Sequence, residues 1–189
     1  MCGRYVFKPT EQLNKYYDYS FKENYNISPG TIVPLLDSNQ KVISRIWGIK
    51  PLWNNSIQLI NAKLETYKYK NTFKNLKRCV FFSNGYYEWK KIEKKSTPFF
   101  HFIEEEFFFF AGLHNEKECC ILTKTNTINN YNVHSRQPVC LTYDLTDEWL
   151  KNSNLLELKK KLNFHQVSSL VNSPRNNNEK LIENIKKNN

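Results

Sequence analysis

Nine short apolar runs punctuate this chain, at residues 4–7, 32–36, 42–49, 79–82, 86–89, 99–103, 107–113, 120–123 and 139–141. They are rich in Val, Ile, Tyr and Phe and bounded by polar or turn-forming residues, the pattern of β-strands rather than helices. Residues 99–110, with acidic Glu104, Glu105 and Glu106 midway, read as an antiparallel hairpin. Helical signals are fewer. Thr10 is placed to cap a short helix carrying Leu13, Tyr16 and Tyr17 at i, i+3, i+4 spacing. Further helices are predicted over 66–76, 146–150 and 155–162, with Asp147 and Glu148 in the opening turn at 146–150. The fold class is therefore α+β with a mainly antiparallel sheet.

At 189 residues the chain is long enough to bury a real core, and one domain over 1–189 is expected. The polar end from about residue 176 is expected to fray, with Leu181, Ile182 and Ile185 as its docking points. No apolar run approaches the roughly 20 residues that span a bilayer, and no export signal opens the chain. A cytoplasmic or nucleoid-associated protein, not a secreted one, is the expectation. Cysteines fall at positions 2, 79, 119, 120 and 140, without zinc spacing, so free buried thiols and no metal are expected.

Formal charge is +10, from 28 Lys plus Arg against 18 Asp plus Glu, and aromatics make up 15% of residues. That balance suits single-stranded nucleic acid, whose phosphates neutralise lysines and whose bases stack on rings. Lys-rich composition also follows from A/T-rich coding, so charge alone leaves the matter open.

The opening residues, Met1-Cys2-Gly3-Arg4, raise a chemical question. A small second residue predicts removal of Met1, which would give Cys2 a free α-amine beside its thiol. The amine has a reference pKa near 8 and the thiol near 8.5, so some amine is unprotonated at neutral pH. Such an aminothiol condenses with an aldehyde to a Schiff base and closes a five-membered thiazolidine. The alternative is a small buried residue behind a start codon. Glu88, among aromatics in Gly85-Tyr86-Tyr87-Glu88-Trp89, is either a solvated strand residue or a carboxyl raised toward proton-shuttling range by burial. His134, beside Arg136 and before Pro138, is either structural or a general acid or base. Asn61, after Leu59 and Ile60, either forms a turn or orients a substrate with its amide.

Taken together, MCGR at 1–4, WGIKPLW at 47–53, NAKLET at 61–66, RCVFFSNGYYEW at 78–89, AGLH at 111–114 and HSRQP at 134–138 resemble the SRAP family, the SOS-response-associated peptidases or abasic-site-shielding proteins. VSSLVNSPR at 167–175 resembles that family's closing strand. The resemblance runs along nearly the whole chain in order and implies a barrel-like β core with peripheral helices. It implies a protein that binds single-stranded DNA and traps the open-chain aldehyde of an abasic site as a thiazolidine crosslink. Cys2 would be the nucleophile, Asn61 would hold the attacking end, Glu88 would shuttle protons, and His134 would assist sugar ring opening and crosslink reversal. Self-cleavage of Met1 and a weak lyase reaction are implied as well.

Arg4, Lys63, Thr66 and Arg136 lie in matched motifs and are the expected phosphate contacts, and Trp47 and Trp89 are candidates to stack on bases or to pack in the core. No cofactor is called for, and a monomer is expected. Three positions depart from the family pattern: Lys63 stands for Arg and loses the planar fork, His114 stands for Trp, and Gln137 stands for Met. Two rivals remain. One is an N-terminal-nucleophile amidohydrolase of the glutamine amidotransferase kind, which also begins Cys-Gly but is rich in Gly loops where this chain has 5 Gly. The other is a noncatalytic single-strand binding module.

Overall fold

The computed structural model describes residues 2–9, 11–14, 21–104, 107–126, 133–152 and 162–185. Its strands are β1 (Arg4–Phe7), β2 (Asn24–Ile27), β3 (Ile32–Asp37), β4 (Val42–Trp47), β5 (Asn61–Lys63), β6 (Lys77–Ser83), β7 (Gly85–Ile92), β8 (Lys95–Phe102), β9 (Phe108–His114), β10 (Glu118–Thr125), β11 (Arg136–Pro138), β12 (Cys140–Leu141) and β13 (Asn163–Gln166). Two α-helices are described, α1 (Glu11–Asn14) and α2 (Tyr143–Asn152). The architecture is mainly antiparallel and barrel-like, as expected.

The strands form two sheets. An antiparallel five-stranded sheet runs β13-β8-β7-β1-β2, and an eight-stranded sheet runs β11-β10-β4-β3-β6-β9-β12 with β5 paired to β10. In the larger sheet β10 also pairs with β9, so the path β10-β4-β3-β6-β9 closes on itself. That closure removes open strand edges, and its rings Phe81, Phe108 and Phe110 fill the interior. Period-two alternation on β1 then divides the core. Tyr5 and Phe7 join the barrel cluster, Tyr5 meeting Trp47 and Phe110 edge-on at 5.3 and 5.7 Å, while Val6 joins a smaller cluster with Tyr87, Phe100, Val171 and Leu181.

Several expectations need correction. Residues 99–110 are not a hairpin: Phe99–Phe102 lie in β8 against β7 and β13, whereas Phe108–Phe110 lie in β9 against β6 and β12. The chain crosses between sheets there, because each flank finds a longer apolar partner elsewhere. Residues 66–76 form a 3-10 turn at Tyr67–Tyr69 followed by further turns, not a helix. Asn71 and Thr72, which favour turns and crowd a helix, interrupt it. The segment 167–175 is no strand, since the closing strand β13 ends at Gln166 and a 3-10 helix covers Ser169–Asn172.

The end does not fray at 176 either. The Asn176 carbonyl accepts from the Asn26 amide at 2.9 Å, Asn177 accepts from the Tyr25 backbone at 2.8 Å, and Leu181 is buried. Helix α2 runs longer than the 146–150 expected, anchored by buried Trp149, whose indole N–H donates to the Cys79 carbonyl at 2.9 Å. Tyr16, Tyr17 and residues 155–161 lie outside the described residues. No described helix is long and apolar enough to cross a membrane.

Gly85 opens β7 opposite Val6, and a Cβ there would lie 2.2 Å from the Phe100 ring and 2.7 Å from the His101 carbonyl oxygen. Gly85→Ala is expected to destabilise the fold by about 1–3 kcal/mol through overpacking against backbone. The measurement is the urea midpoint at unchanged slope. An unshifted midpoint would show that the β7–β8 pair yields at no cost.

Candidate functional site

β1 is the element that positions the candidate nucleophile. It is paired on both sides, with β7 (Arg4↔Tyr87, Tyr5↔Tyr86) and with β2 (Tyr5↔Ile27), so Cys2 is delivered toward the middle of β7, which carries Glu88. Cys2 is 0% exposed and its Sγ lies 3.9 Å from the Arg4 carbonyl. Burial pushes the thiol well above its ordinary value, the Glu88 carboxylate adds to that, and the chain's α-amino group opposes it. The sulfur is therefore a neutral thiol at physiological pH.

Asn61 reaches Cys2 from the other sheet. It opens β5, a short polar strand held parallel to β10 by the pairs Ile121↔Asn61 and Leu122↔Ala62. Its Nδ2 donates to the Cys2 carbonyl at 2.8 Å, while its buried Oδ1 has no partner among the described residues. An acceptor left open in that position is suited to a donor arriving with a ligand.

Glu88 is 3% exposed, and burial raises its carboxyl from 4.5 to about 7, against the pull of the α-amino group and the Trp89 backbone N–H. His134 is half-buried, and burial, the α-amino group and the Arg136 charge pull its pKa below the ordinary value. Its Nδ1 lies 3.0 Å from the Arg136 backbone N–H. Cys2, Glu88 and His134 all feel the same α-amino group, and Asn61 holds the Cys2 carbonyl. The four candidates from the sequence are thus gathered around one chain terminus.

The expected DNA contacts fare less evenly. Trp47 is fully buried, donates its indole N–H to the Ile60 carbonyl at 3.0 Å and packs on Tyr5, so it has no ring face for a base. Arg136 spends its guanidinium internally: Nη2 and Nη1 meet Glu65 at 2.9 and 3.3 Å, Nη2 also donates to the Thr123 carbonyl at 2.6 Å, and Nε to Thr123 Oγ1 at 3.3 Å. A fork filled by a carboxylate cannot also grip a phosphate bidentately. Arg4 uses Nη1 on Asn26 Oδ1 at 2.7 Å and the Val171 carbonyl at 3.0 Å, while its buried Nε has no described partner.

Lys63 is exposed at the end of β5, and Thr66, partly buried, accepts the Tyr69 backbone N–H at 3.0 Å. Trp89 is partly exposed and donates to Asn172 Oδ1 at 2.8 Å. His114, where the family pattern has Trp, is buried in β9 with Nδ1 3.0 Å from the Asn115 carbonyl.

Sequence reasoning passed over Trp53 and Glu65. Trp53 is 68% exposed, close to exposed Leu52, and its indole N–H donates to Thr72 Oγ1 at 3.3 Å, which joins the 50–60 loop to the turn bearing exposed Tyr69. Lys50, Lys68 and Lys70 are exposed along the same two segments. The signal was present in WGIKPLW, where Pro51 ends the strand pattern before the second Trp. Glu65 showed no such signal, because its partner Arg136 lies 71 residues away.

Among known proteins, a sequence model of the SOS response associated peptidase (SRAP) family matches residues 1–174. The chain is 31% identical to the abasic site processing protein YoqW of Bacillus subtilis, over 97% of this chain and 99% of that protein. It is 29% identical to the abasic site processing protein YedK of Escherichia coli, over 80% of each chain. With the abasic site processing protein HMCES of Xenopus tropicalis it shares 22% identity, over 83% of this chain and 64% of that protein. A crystal structure of a Bacteroides thetaiotaomicron protein superposes with a TM-score of 0.80 at 21% identity, covering 97% of this chain and 99% of that one.

The burial of Glu88 has a cost that stability measurements expose. Its folded pKa is raised, so its contribution is fully present below about 4.5 and is lost as pH rises through about 7. At about 1.4 kcal/mol per tenfold change, the loss by pH 8 reaches at most about 3 kcal/mol. Glu88→Gln, neutral throughout, is expected to melt several degrees above the wild type at pH 8 and alongside it at pH 4. Equal melting at both values would mean that Glu88 is not held in its neutral form.

Proposed function

The chain belongs to the SOS response associated peptidase (SRAP) family, and from that footing we propose that it processes abasic sites in DNA by capturing their aldehyde covalently at Cys2. The observation that carries this is the convergence of Cys2, Asn61, Glu88 and His134 on the α-amino end of the chain. Relatives named abasic site processing proteins over nearly their full lengths support the same substrate.

The chemistry follows from the protonation states. Removal of Met1 turns the Cys2 amide nitrogen into an amine and vacates the volume next to it. That nitrogen attacks the C1 aldehyde of the opened deoxyribose, giving a carbinolamine. Neutral Glu88 gives its proton to the carbinolamine hydroxyl, which leaves as water, and an iminium remains. The Glu88 carboxylate then takes the Cys2 thiol proton as sulfur bonds to the iminium carbon, and the thiazolidine closes with one water lost overall. A carboxyl near pH 7 suits both halves of that shuttle. The buried thiol stays protonated until the iminium forms, so nitrogen acts before sulfur. His134, neutral at physiological pH, would donate a ring N–H to the ring oxygen of the sugar hemiacetal and so assist ring opening. Asn61 would fix the Cys2 carbonyl and offer Oδ1 to the incoming sugar or amine.

DNA would be held without sequence readout. Exposed Trp53 and Tyr69 offer base-stacking faces, and exposed Lys50, Lys63 and Lys68 offer charge for the phosphates. A flipped, single-stranded sugar is the form that fits a buried nucleophile. A lyase side reaction belongs to the same proposal, since an iminium at C1 also acidifies the neighbouring carbon; self-removal of Met1, a peptide-bond hydrolysis by water, would precede it.

Protein lacking Met1, incubated with an abasic single-stranded oligonucleotide, is expected to form a heat- and SDS-resistant adduct whose mass is the sum of the two minus one water. Cys2→Ala should form none, and Glu88→Gln should slow formation by about a hundredfold while binding intact DNA as before. A Cys2→Ala variant that crosslinks like the wild type would overturn the assignment.

A further inference from the structure

Glu65 lies in none of the reacting positions, yet four hydrogen bonds hold its carboxylate. Its Oε1 accepts from the Thr125 backbone N–H at 3.0 Å and the Thr125 hydroxyl at 3.2 Å, and both oxygens face the Arg136 guanidinium. Burial would push this carboxyl up, but Arg136 and the backbone amides of Glu65 and Thr125 outweigh it and hold it at about 2. It stays charged at any working pH.

The network crosses three strands. Glu65 follows β5, Thr123 and Thr125 belong to β10, and Arg136 opens β11. Thr123 Oγ1 reaches back to the Ala62 carbonyl at 3.4 Å, so the tie returns to the strand that begins with Asn61. At its far end the Arg136 backbone presents two groups to His134 Nδ1, the N–H at 3.0 Å and the carbonyl at 3.2 Å. An N–H aimed at Nδ1 excludes a proton there, so the neutral ring carries its proton on Nε2. One clamped residue thus sets which ring nitrogen carries the proton, so that Nε2–H is the hydrogen-bond donor the neutral ring has to offer.

We propose that Glu65 is a positioning residue which, through Arg136, fixes the orientation and tautomer of His134. Its use in the reaction rests on the role given to His134 above. The orientation itself does not. Asn126, whose Nδ2 donates to the His134 carbonyl at 3.3 Å, steadies the loop independently but touches the backbone only.

Nitrogen-15 NMR of the histidine rings, without DNA, is the direct test. The wild type is expected to show His134 as a single Nε2–H tautomer, and Glu65→Ala a mixture of tautomers with unchanged signals from buried His101. Glu65→Gln, which keeps an acceptor oxygen for Arg136, should lie between them, and it serves alone if the Ala variant does not fold. An unaltered His134 tautomer in both variants overturns the proposal. Adduct kinetics add a second reading: Glu65→Ala should slow adduct formation roughly tenfold or more in the wild type and not at all in a His134→Ala background. Equal slowing in both backgrounds would make Glu65 merely structural. A tautomer change in a protein that forms no adduct would sustain the positioning and refute the reaction.

Discussion

The hydrogen bond from the Asn61 side chain to the Cys2 carbonyl joins the two sheets at the point where the chain begins. Chain ends ordinarily lie loose on a surface. Here the end is held from three directions: Asn61 from the barrel, β7 and β2 from either edge of β1, and the Asn26 and Val171 acceptors that take Arg4. A terminus fixed in this way has already lost the freedom that a reaction would otherwise remove, which is the source of high effective molarity in a pre-oriented pair.

Burial around that terminus separates the roles of groups that would compete in water. The Cys2 thiol is raised, the Glu88 carboxyl is raised to about 7, and His134 is lowered. In each the charged form is the one disfavoured, as expected of a low-dielectric pocket. Cys2, Glu88 and His134 are thereby each biased toward the neutral form. The arrangement trades stability for that bias, as perturbed groups at functional sites commonly do.

The sequence made the strands legible where aromatic and β-branched residues cluster, and the barrel strands β3, β6, β9 and β10 were readable for that reason. It misled where neighbours in sequence part company. Residues 99–110 look like a hairpin because nothing local says that their two flanks enter different sheets. β5 escaped notice because Asn61-Ala62-Lys63 is polar and owes its strand conformation to β10 alone. The candidates Cys2, Asn61, Glu88 and His134 were named from motifs and the fold brings them together, whereas the choice between Trp47 and Trp53 was not legible. Both are Trp in one short motif, and only the end of β4 at Trp47 decides which is buried. Glu65 and Arg136 could be joined only by folding.

The placement of cations bears on how such a protein tells damaged from intact DNA. Arg4 and Arg136 direct most of their donors inward, and Arg45 and Arg78 donate to backbone carbonyls of their own chain. What remains toward solvent is chiefly lysine, a hydrated point charge that attracts phosphates without registering their geometry. Lysine contacts with a stacking ring bind any single strand and weaken with salt. On the proposed reading, discrimination comes from the reaction rather than from the grip: an intact nucleotide has no aldehyde, and Cys2 has no exposed surface for a stacked base to meet. Weak, sequence-blind binding followed by a covalent step separates search from commitment. If the proposed chemistry operates, it would let the protein leave undamaged strands quickly while holding the lesion once the ring has closed.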